Sequence, residues 1–408
     1  MSRPQRPAPR GRRPRPKASK GESYVGRRFE VEVGPIAHGG HFVARVQIET
    51  GTSREGSRVV FVRHALPGEQ VVVEITEGTA GDRFWRGDAV SVVSAAPERV
   101  VPPCPYAGPG LCGGCDFQHV SVSAQRELKA TVLREQLVRL GGLSASDPLV
   151  SGLAVEAVPG DEDGLRWRTR QRYTTAPGGG RGMRKYRSHD VIPVDDCLIA
   201  TEDAREPGAG TVVEQVAVGG AEHSFEVSAD GFWQVHPGAP STLVSAVLSA
   251  LSPAPGDTVL DLYAGVGLFS AFLADRVGPT GRVVAVEGDP TASALSMGNV
   301  PTAEVSTGDV ATVLARLEEG PFDLVVLDPP REGARRKVVE AVVARSPRKV
   351  AYVACDPAAL ARDVAIFAEH GYHLQSLRAF DLFPMTHHVE CVALLEKTDS
   401  EQRRSNSR

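Results

Sequence analysis

A cysteine at the end of an apolar run is the first residue in this sequence whose type and position suggest chemistry. Cys355 lies in YVACDPAALARD, residues 352–363, directly before Asp356-Pro357. A free cysteine is often a small buried residue, whereas its thiolate is a nucleophile. This stretch supports both interpretations, so the choice depends on what the rest of the chain brings to Cys355.

Residues suited to a nucleoside cofactor follow the preceding apolar runs. The run TVLDL, residues 258–262, leads to Gly265 and Gly267, which permit a tight turn close to a ligand. Glu287 ends the second run, where a carboxylate can accept hydrogen bonds from ribose hydroxyls. Asp309 lies where a third strand would end, in a position suited to adenine. The incomplete G-x-G-x-x-G pattern favours a cofactor without a pyrophosphate.

The next two strand ends point to a methyl-transfer reaction. Asp328, in LDPPRE, precedes two prolines that hold a rigid loop suited to a planar base. Cys355 ends the following strand, and the carboxyl ends of an open parallel sheet meet at one edge. A thiolate there can add to C6 of a pyrimidine, which makes C5 able to attack a methyl group. These residues favour S-adenosylmethionine over NAD.

Completion of that cycle requires a base that removes the C5 proton. Glu390, in FPMTHHVECVALLEK, directly precedes the last apolar run and is the leading candidate. His387 and His388 are alternative bases. Cys391 lies within the apolar run itself, and we assign it to the core.

Four other cysteines have a spacing typical of a metal site. They form a C-x7-C-x2-C pattern with a distant fourth member, at Cys104, Cys112, Cys115 and Cys197. Such clustering in a cytosolic protein indicates metal binding or catalysis rather than disulfides. From the spacing alone, zinc and an iron-sulfur cluster are supported about equally.

A basic segment precedes the α/β part of the chain. Residues 166–187, RWRTRQRYTTAPGGGRGMRKYR, contain eight basic residues and no acid. On a strand, period two would place alternate arginines on one face, where like charges repel one another. A nucleic acid opposite that face is the favoured interpretation, and a solvated face paired with acids is the alternative. The alternating arginines are Arg166, Arg168, Arg170 and Arg172.

The patterns around these residues predict the elements that position them. Five short alternating runs between Gly26 and about Ala95 predict a small β-barrel. Apolar residues at helical spacing predict a helix over 121–140 that ends at Gly141-Gly142. From about Ser241, apolar runs alternate with helical stretches, which predicts a parallel sheet covered on both faces. The predicted strands of that sheet are 258–262, 282–287, 323–327, 349–354 and 391–396.

Charge and composition bound the class of protein. Residues 1–20 carry eight basic residues and no acid, which leaves 38 basic and 50 acidic residues in the rest of the 408-residue chain. This Pro-rich tail is expected to be disordered and either to attract nucleic acid or only to aid solubility. The absence of an apolar run of eighteen residues and of a signal peptide predicts a cytoplasmic protein without a membrane partner. We expect a monomer.

Four motifs in order resemble one enzyme family. LDLYAGVGLFS, LDPPR, VACDP and FPMTHHVE resemble the RNA (uracil-5-)methyltransferases that carry an N-terminal TRAM domain, and the resemblance covers about residues 24–397. It implies that Cys355 is the nucleophile and Glu390 the base. It also implies a cofactor and base site formed by Gln234, Tyr263, Glu287 and Asp328, with Asp309 beside the adenine. The chain departs from the family at His236, often asparagine, and at Leu268, often polar.

The resemblance also implies a [4Fe-4S] cluster on the four cysteines, with zinc as the alternative, although the first cysteine spacing is longer by about two residues than is usual. The implied fold is α/β: a Rossmann-like S-adenosylmethionine-dependent methyltransferase domain, an OB-like TRAM barrel and a central α+β region. The expected division is a basic tail at 1–22, the barrel at 23–97, the central region at 98–225, the methyltransferase domain at 226–397 and a tail at 398–408.

The implied function is methylation of C5 of a uridine in structured RNA, with 23S rRNA as the leading target. The same chemistry on tRNA is the alternative within enzymes. A non-catalytic RNA-binding assembly factor is the alternative of another class, and the intact set of catalytic residues argues against it.

Overall fold

The structure is a computed structural model that describes residues 21–48, 56–161, 163–317 and 320–398. The two predicted tails therefore fall outside the described residues, apart from positions 21, 22 and 398. No helix in the described ranges is long and apolar enough to cross a membrane.

The N-terminal part of the chain forms a closed barrel, as its alternating sequence predicts. Its strands are β1 (Arg28–Ala37), β2 (His41–Ile48), β3 (Gly56–Arg63), β4 (Gln70–Glu77) and β5 (Phe84–Ser94). They follow the order β1-β2-β3-β5-β4 around the barrel. Trp85 is wholly buried inside it and donates its indole N–H to the carbonyl oxygen of Thr79 at 2.8 Å.

The central region combines one long helix with small sheets. The predicted helix is present as α1 and ends before Gly141, whose backbone N–H still bonds the carbonyl of Gln136. The elements of this region are α1 (Val122–Arg139), α2 (Pro148–Ser151), β6 (Val155–Glu156), β7 (Arg168–Arg170), β8 (Thr174–Thr175), β9 (Arg181–Arg184), β10 (Val191–Pro193), β11 (Ala200–Arg205), β12 (Thr211–Val218) and β13 (Ala221–Ser228).

The arginine-rich strand is shorter than predicted. Of the predicted row of four arginines, the strand β7 contains Arg168 and Arg170, and it pairs in parallel with β11. Arg166 has a positive φ of 55° and forms an ion pair with Asp196 at 2.5 Å, whereas Arg172 pairs with Asp230 at 2.9 Å. The prediction of one continuous row of four arginines is therefore wrong, because the outer two turn toward carboxylates that relieve the repulsion between like charges.

The C-terminal part alternates strands and helices, as predicted. Its elements are α3 (Ala239–Leu251), β14 (Thr258–Leu262), α4 (Leu268–Val277), β15 (Arg282–Glu287), α5 (Pro290–Asn299), β16 (Glu304–Thr307), α6 (Val310–Leu314), β17 (Leu324–Leu327), α7 (Arg335–Val343), β18 (Lys349–Ala354), α8 (Pro357–Glu369), β19 (Tyr372–Phe380) and β20 (Glu390–Lys397). The strands of this part form one sheet with β6 of the central region, in the order β16-β15-β14-β17-β18-β20-β19-β6, with an apolar core on each face.

The sheet is parallel only in part, which corrects the sequence prediction. Strands β14 to β18 run parallel, whereas β20 runs antiparallel to both of its neighbours, β18 and β19. A parallel connection needs a crossover, usually a helix. Loop 381–389 between β19 and β20 contains no helix, so β20 returns in the opposite direction. The start of β20 consequently lies at the carboxyl edge of the parallel strands.

A buried ion pair joins the central region to this sheet. The Nζ atom of Lys129 on α1 donates to Oδ1 of Asp381 at 2.5 Å and to the carbonyl oxygen of Phe383 at 3.0 Å. The two charged side chains are only 1% and 2% exposed. Their pairing anchors the start of loop 381–389 to α1.

We expect Lys129→Met to lower the free energy of unfolding by about 3–5 kcal/mol, because it leaves the buried Asp381 carboxylate without its cation. The double variant Lys129→Met/Asp381→Leu should recover most of that loss, since an apolar pair needs no compensating charge. Urea unfolding followed by circular dichroism measures both values.

Arg139→Met provides the control on the same helix, because Arg139 is 68% exposed and its pair with Glu135 lies at the surface. Its cost should stay below about 1 kcal/mol. Equal costs for the two single variants would contradict the anchoring role of Lys129.

Candidate active site

The sheet brings the predicted site residues to one edge. The loop after β14 carries the two glycines, β15 ends at Glu287, and Asp328 and Cys355 directly follow β17 and β18. Ala354 on β18 pairs with Cys391 on β20, so Cys355 and Glu390 are the next residues along two neighbouring strands. If β20 were parallel to β18, its first residue would lie at the opposite edge of the sheet.

The loop after β14 has the backbone shape of a ligand-binding turn. Tyr263, Gly265 and Gly267 all have positive φ, at 64°, 57° and 93°. A Cβ atom at Gly267 would lie 2.8 Å from the Val300 side chain, whereas a Cβ at Gly265 would meet nothing within 4 Å. The tyrosine is the costly member of the three, since a non-glycine residue in this region carries about 1–3 kcal/mol of strain.

Glu287 holds this loop in place. Its Oε2 atom accepts the backbone N–H of Gly265 at 2.7 Å, and its Oε1 atom accepts that of Asp289 at 2.7 Å. Each carboxylate oxygen has a second lone pair, so these bonds leave acceptor capacity for a ligand. Glu287 therefore orders the turn and presents a carboxylate beside it.

Asp309 and Gln234 lie outside the turn after β14. Asp309 caps α6 by accepting the N–H of Thr312 at 2.9 Å and its hydroxyl at 2.7 Å, and these bonds lower the pKa of Asp309. Burial raises the pKa of Tyr263 to about 12, and the charge of Asp309 adds to the rise. Gln234 is half-buried in the loop between β13 and α3. Contact of these residues with a cofactor stays a prediction.

The two positions that depart from the family face the interior. Leu268 is 7% exposed and belongs to the apolar core on one face of the sheet. His236 is 4% exposed, stacks on Trp167 with ring centroids 6.0 Å apart, and accepts the backbone N–H of Gly238 at Nδ1. In this structure, both side chains contribute to packing.

The carboxyl groups at the sheet edge repel one another. Burial raises the pKa of Asp328, and the charges of Asp261 and Glu287 raise it further. Burial likewise raises the pKa of Glu390 well above its usual range; Asp328 adds to that rise and Arg331 opposes it. A carboxylate whose pKa is raised is a stronger base once it is ionised. This suits Glu390 to the removal of a proton from carbon.

Cys355 lines a small cavity of about 60 Å³ between the barrel and the sheet. Burial raises the pKa of the Cys355 thiol to about 12, and the nearby charges of Glu390 and Asp328 contribute, whereas that of Arg331 acts in the opposite direction. The thiol is therefore protonated at neutral pH in the absence of RNA. Arg331, which lines the same cavity, is a cation that can stabilise the thiolate.

The barrel closes one side of this cavity, which sequence reasoning missed. Nε2 of His38, in the turn between β1 and β2, lies 3.1 Å from Oδ2 of Asp356, the residue after Cys355. Asp356 also caps α8 through the N–H of Ala359 at 2.8 Å. A Cβ atom at Gly40 would lie 2.6 Å from Cβ of His387. The glycine pair in AHGGHF was the available signal of this close approach.

The two histidines before Glu390 already have partners. His387 places Nδ1 2.6 Å from Oδ2 of Asp116, and His388 places Nε2 3.3 Å from a guanidinium nitrogen of Arg331. Burial lowers the pKa of His388 to about 3, so its ring is neutral at physiological pH. Both rings line the Cys355 cavity. Cys391 is fully buried, as expected of a core residue.

The four predicted metal cysteines line a second cavity of about 260 Å³, together with Arg168. Sγ of Cys112 accepts the backbone N–H of Gly114 at 3.4 Å, and Sγ of Cys115 accepts the side-chain N–H of Gln118 at 3.5 Å. Within the described ranges, no three His, Cys, Asp or Glu side chains are placed to hold a single metal ion. One tetrahedral zinc would require sulfurs about 3.8 Å apart, given its bond length of about 2.3 Å.

Comparison with known proteins agrees with this geometry. Residues 22–90 match the TRAM domain, residues 241–351 the methyltransferase small domain, and residues 309–398 the family described as tRNA (Uracil-5-)-methyltransferase. A crystal structure of the Pyrococcus abyssi tRNA (uracil-54, C5)-methyltransferase in complex with S-adenosyl-L-homocysteine covers 86% of this chain and 99% of its own, with 20% identity and a TM-score of 0.63. That likeness shows a shared fold.

Curated relatives extend over almost the whole chain. An uncharacterized RNA methyltransferase of Streptomyces avermitilis is 42% identical over 91% of this chain and 99% of its own length. A 23S rRNA (uracil(1939)-C(5))-methyltransferase of Shewanella sp. (strain ANA-3) is 29% identical over 85% of this chain and 92% of its own. The chain therefore belongs to the RNA (uracil-5-)methyltransferase family with a TRAM domain, and it is an RNA methyltransferase.

Proposed function

We propose that this enzyme methylates C5 of a uridine in 23S rRNA, with Cys355 as nucleophile and Glu390 as base. The observation that carries the proposal is the adjacency of these two residues on antiparallel strands, directly beyond the Ala354–Cys391 pair. Such a pair can serve both ends of one reaction, addition at C6 and proton removal at C5.

The reaction divides between the two residues. The Cys355 thiolate forms a bond to C6 of the uracil, and the electron pair of the C5–C6 double bond moves to C5. S-adenosylmethionine supplies the methyl group that C5 attacks, and S-adenosylhomocysteine leaves. Glu390 then takes the C5 proton, the C5–C6 double bond re-forms and the thiolate is released. The thiol proton must first leave Cys355, and Arg331 favours its departure by opposing the rise in pKa.

The turn after β14 suits the methyl donor. Gly265 leaves open space at the turn, and Glu287 offers spare acceptor capacity for ribose hydroxyls. Asp309 presents an ionised carboxylate on the next strand end, suited to an adenine amino group. We assign the remaining cofactor contacts to Gln234, Tyr263 and Gly267. Asp328, whose pKa is raised, can donate a hydrogen bond to the edge of the target base.

RNA binding falls to the other parts of the chain. We assign the barrel at 23–97 and the central region at 98–225 to the RNA, and residues 226–397 to methyl transfer. Arg168 and Arg170 donate hydrogen bonds to backbone carbonyls, whereas Arg166 and Arg172 are paired with carboxylates that a phosphate would replace. Binding through these four arginines should therefore weaken as salt increases.

The target is proposed as ribosomal RNA because a curated relative that acts on 23S rRNA aligns over 85% of the chain. A tRNA is the second candidate, since a solved structure with the same fold is that of a tRNA (uracil-54, C5)-methyltransferase. A non-catalytic assembly factor is disfavoured because Cys355, Glu390 and Asp328 are all present at one sheet edge.

We also propose a [4Fe-4S] cluster in the cysteine cavity. Four soft sulfur donors line one space of about 260 Å³, and cysteine thiolates are the ligands that hold such clusters. Cys104, Cys112, Cys115 and Cys197 would be its ligands. The cluster would supply structural cross-linking of the central region, and no step of methyl transfer passes through it.

Loss of the gene should remove one or more 5-methyluridines from large-subunit rRNA, because the enzyme proposed to install them is then missing. Wild-type protein should restore the modification and Cys355→Ala should not, although the variant should bind S-adenosylmethionine within about twofold of wild type. Nucleoside mass spectrometry of separated rRNA and tRNA measures the result. Cys391→Ala, one strand away, is the active control. Loss from tRNA alone would favour the second candidate, and activity of Cys355→Ala would refute the mechanism.

Glu390→Gln should accumulate a covalent complex with RNA, since the thiolate cannot leave until C5 loses its proton. A band of retarded protein on a denaturing gel, dependent on S-adenosylmethionine, reports that complex. The double variant Cys355→Ala/Glu390→Gln should give none. If Glu390→Gln forms no complex and His387→Ala or His388→Ala does, the base is a histidine.

Protein purified without oxygen should be brown and contain about four iron atoms per chain. Cys197→Ser should lose the colour, because it removes a ligand, whereas Cys355→Ala should keep it. Metal analysis and visible absorbance distinguish an iron-sulfur cluster from zinc at the four cysteines. About one zinc per chain, without iron, would overturn the cluster assignment.

A further inference from the structure

The loop that delivers Glu390 is held by the segment that contains the third metal cysteine. The backbone N–H groups of Asp116 and Phe117 both donate to the carbonyl oxygen of Met385, at 2.9 and 3.0 Å. The N–H of Met385 in turn donates to Oε1 of Gln125 at 2.8 Å. Loop 381–389 has no regular structure of its own, so these bonds define its path.

Asp116 makes the contact closest to the active cavity. Its Oδ2 atom accepts the backbone N–H of His387 at 3.1 Å and lies 2.6 Å from the ring Nδ1. Its Oδ1 atom lies 3.6 Å from a guanidinium nitrogen of Arg63, which is itself buried. The Asp116 side chain thus orients His387, which lines the Cys355 cavity and lies three residues before Glu390.

Apolar packing joins the same loop to the cysteine cavity. Met385 is buried with Trp167 and Ile199, and this small cluster packs against Cys115, Cys197 and Phe383. A change in how the cysteines are held therefore reaches Met385 directly, independently of the hydrogen bonds of Asp116. Asp116 immediately follows Cys115, so a displacement of that cysteine also moves the carboxylate.

We propose that Asp116 is a positioning residue that couples the cysteine cavity to loop 381–389, so that the group held by the cysteines sets the alignment of Glu390 with Cys355. This inference rests on the proposed roles of Cys355 and Glu390. Misplacement of a catalytic group by about 1 Å can cost roughly a hundredfold in rate. The coupling gives the cluster an effect on catalysis without any part in the chemistry.

The test compares metal-loaded wild type, Asp116→Ala, Asp116→Asn and Asp195→Asn. Asp195 lies two residues before Cys197 and accepts a hydrogen bond from Tyr106 at 2.9 Å, so its variant removes a carboxylate near the cysteines without touching loop 381–389. Hydrogen exchange of residues 381–389 needs no catalysis and reports on the loop itself. Steady-state methyl transfer gives kcat and the KM for RNA.

Asp116→Ala should exchange faster at the His387 amide and lose roughly tenfold to a hundredfold in kcat, with the KM for RNA changed less than about twofold. Asp116→Asn keeps an acceptor for that amide, so it should retain more of the protection from exchange and more of kcat than Asp116→Ala. Asp195→Asn should match wild type. In wild type, removal of the metal should also speed hydrogen exchange in loop 381–389. In Asp116→Ala, removal of the metal should increase the exchange rate of this loop by a smaller factor.

Unchanged exchange at His387 in both Asp116 variants would overturn the proposal, as would equal kcat losses in Asp116→Ala and Asp195→Asn. A double-mutant cycle adds a second criterion: His387→Ala should cost little in kcat once Asp116 is alanine, because both act through one contact. If the kcat losses of the two single variants multiply in the double variant, the proposed coupling is refuted. Failure of the methyl-transfer mechanism appears separately, as activity in Cys355→Ala, since the exchange measurement does not depend on it.

Discussion

The antiparallel direction of β20 is the constraint on which the active site depends. Parallel strands place Cys355 at their carboxyl edge, and a strand in the same direction would have put Glu390 at the far edge. The reversal needs a loop without a crossover helix, and that loop, residues 381–389, contains neither helix nor strand. It is held instead by α1 through Lys129 and Gln125 and by Asp116. Strand direction thus makes the methyltransferase sheet dependent on the central region.

The electrostatics of the edge follow from the same arrangement. Burial raises the pKa of Glu390, Cys355 and Asp328 alike. The charge of Asp328 raises the pKa of Glu390 and of Cys355 further, and Glu390 adds to the rise at Cys355. The Cys355 thiol and the Glu390 carboxyl group are therefore both biased toward their neutral forms. Arg331 opposes this bias at Cys355 and Glu390. The proposed cycle draws on both forms of each group, with the thiolate attacking and the carboxylate accepting a proton.

The features that were predicted from the sequence are those that depend on a local pattern of residues. Period-two alternation identified the barrel, and apolar runs identified the strands. Glycines marked the turn after β14, in which Gly265 and Gly267 adopt positive φ values. The sequence prediction missed the direction of β20, because an apolar run reads the same either way. It also missed the contacts of His38 and Asp116, whose partners lie 318 and 271 residues away. The arginine row was misread because the carboxylates that break it lie in other segments.

The most direct test of the mechanism uses a short RNA in which the target uridine carries fluorine at C5. After addition of the thiolate and methylation, C5 holds no proton for Glu390 to remove, so the adduct should persist. Mass spectrometry of the digested complex should find methylated fluorouridine attached to the peptide that contains Cys355. Release of unmodified RNA, or attachment to any other residue, would contradict the assignment of Cys355 as the nucleophile.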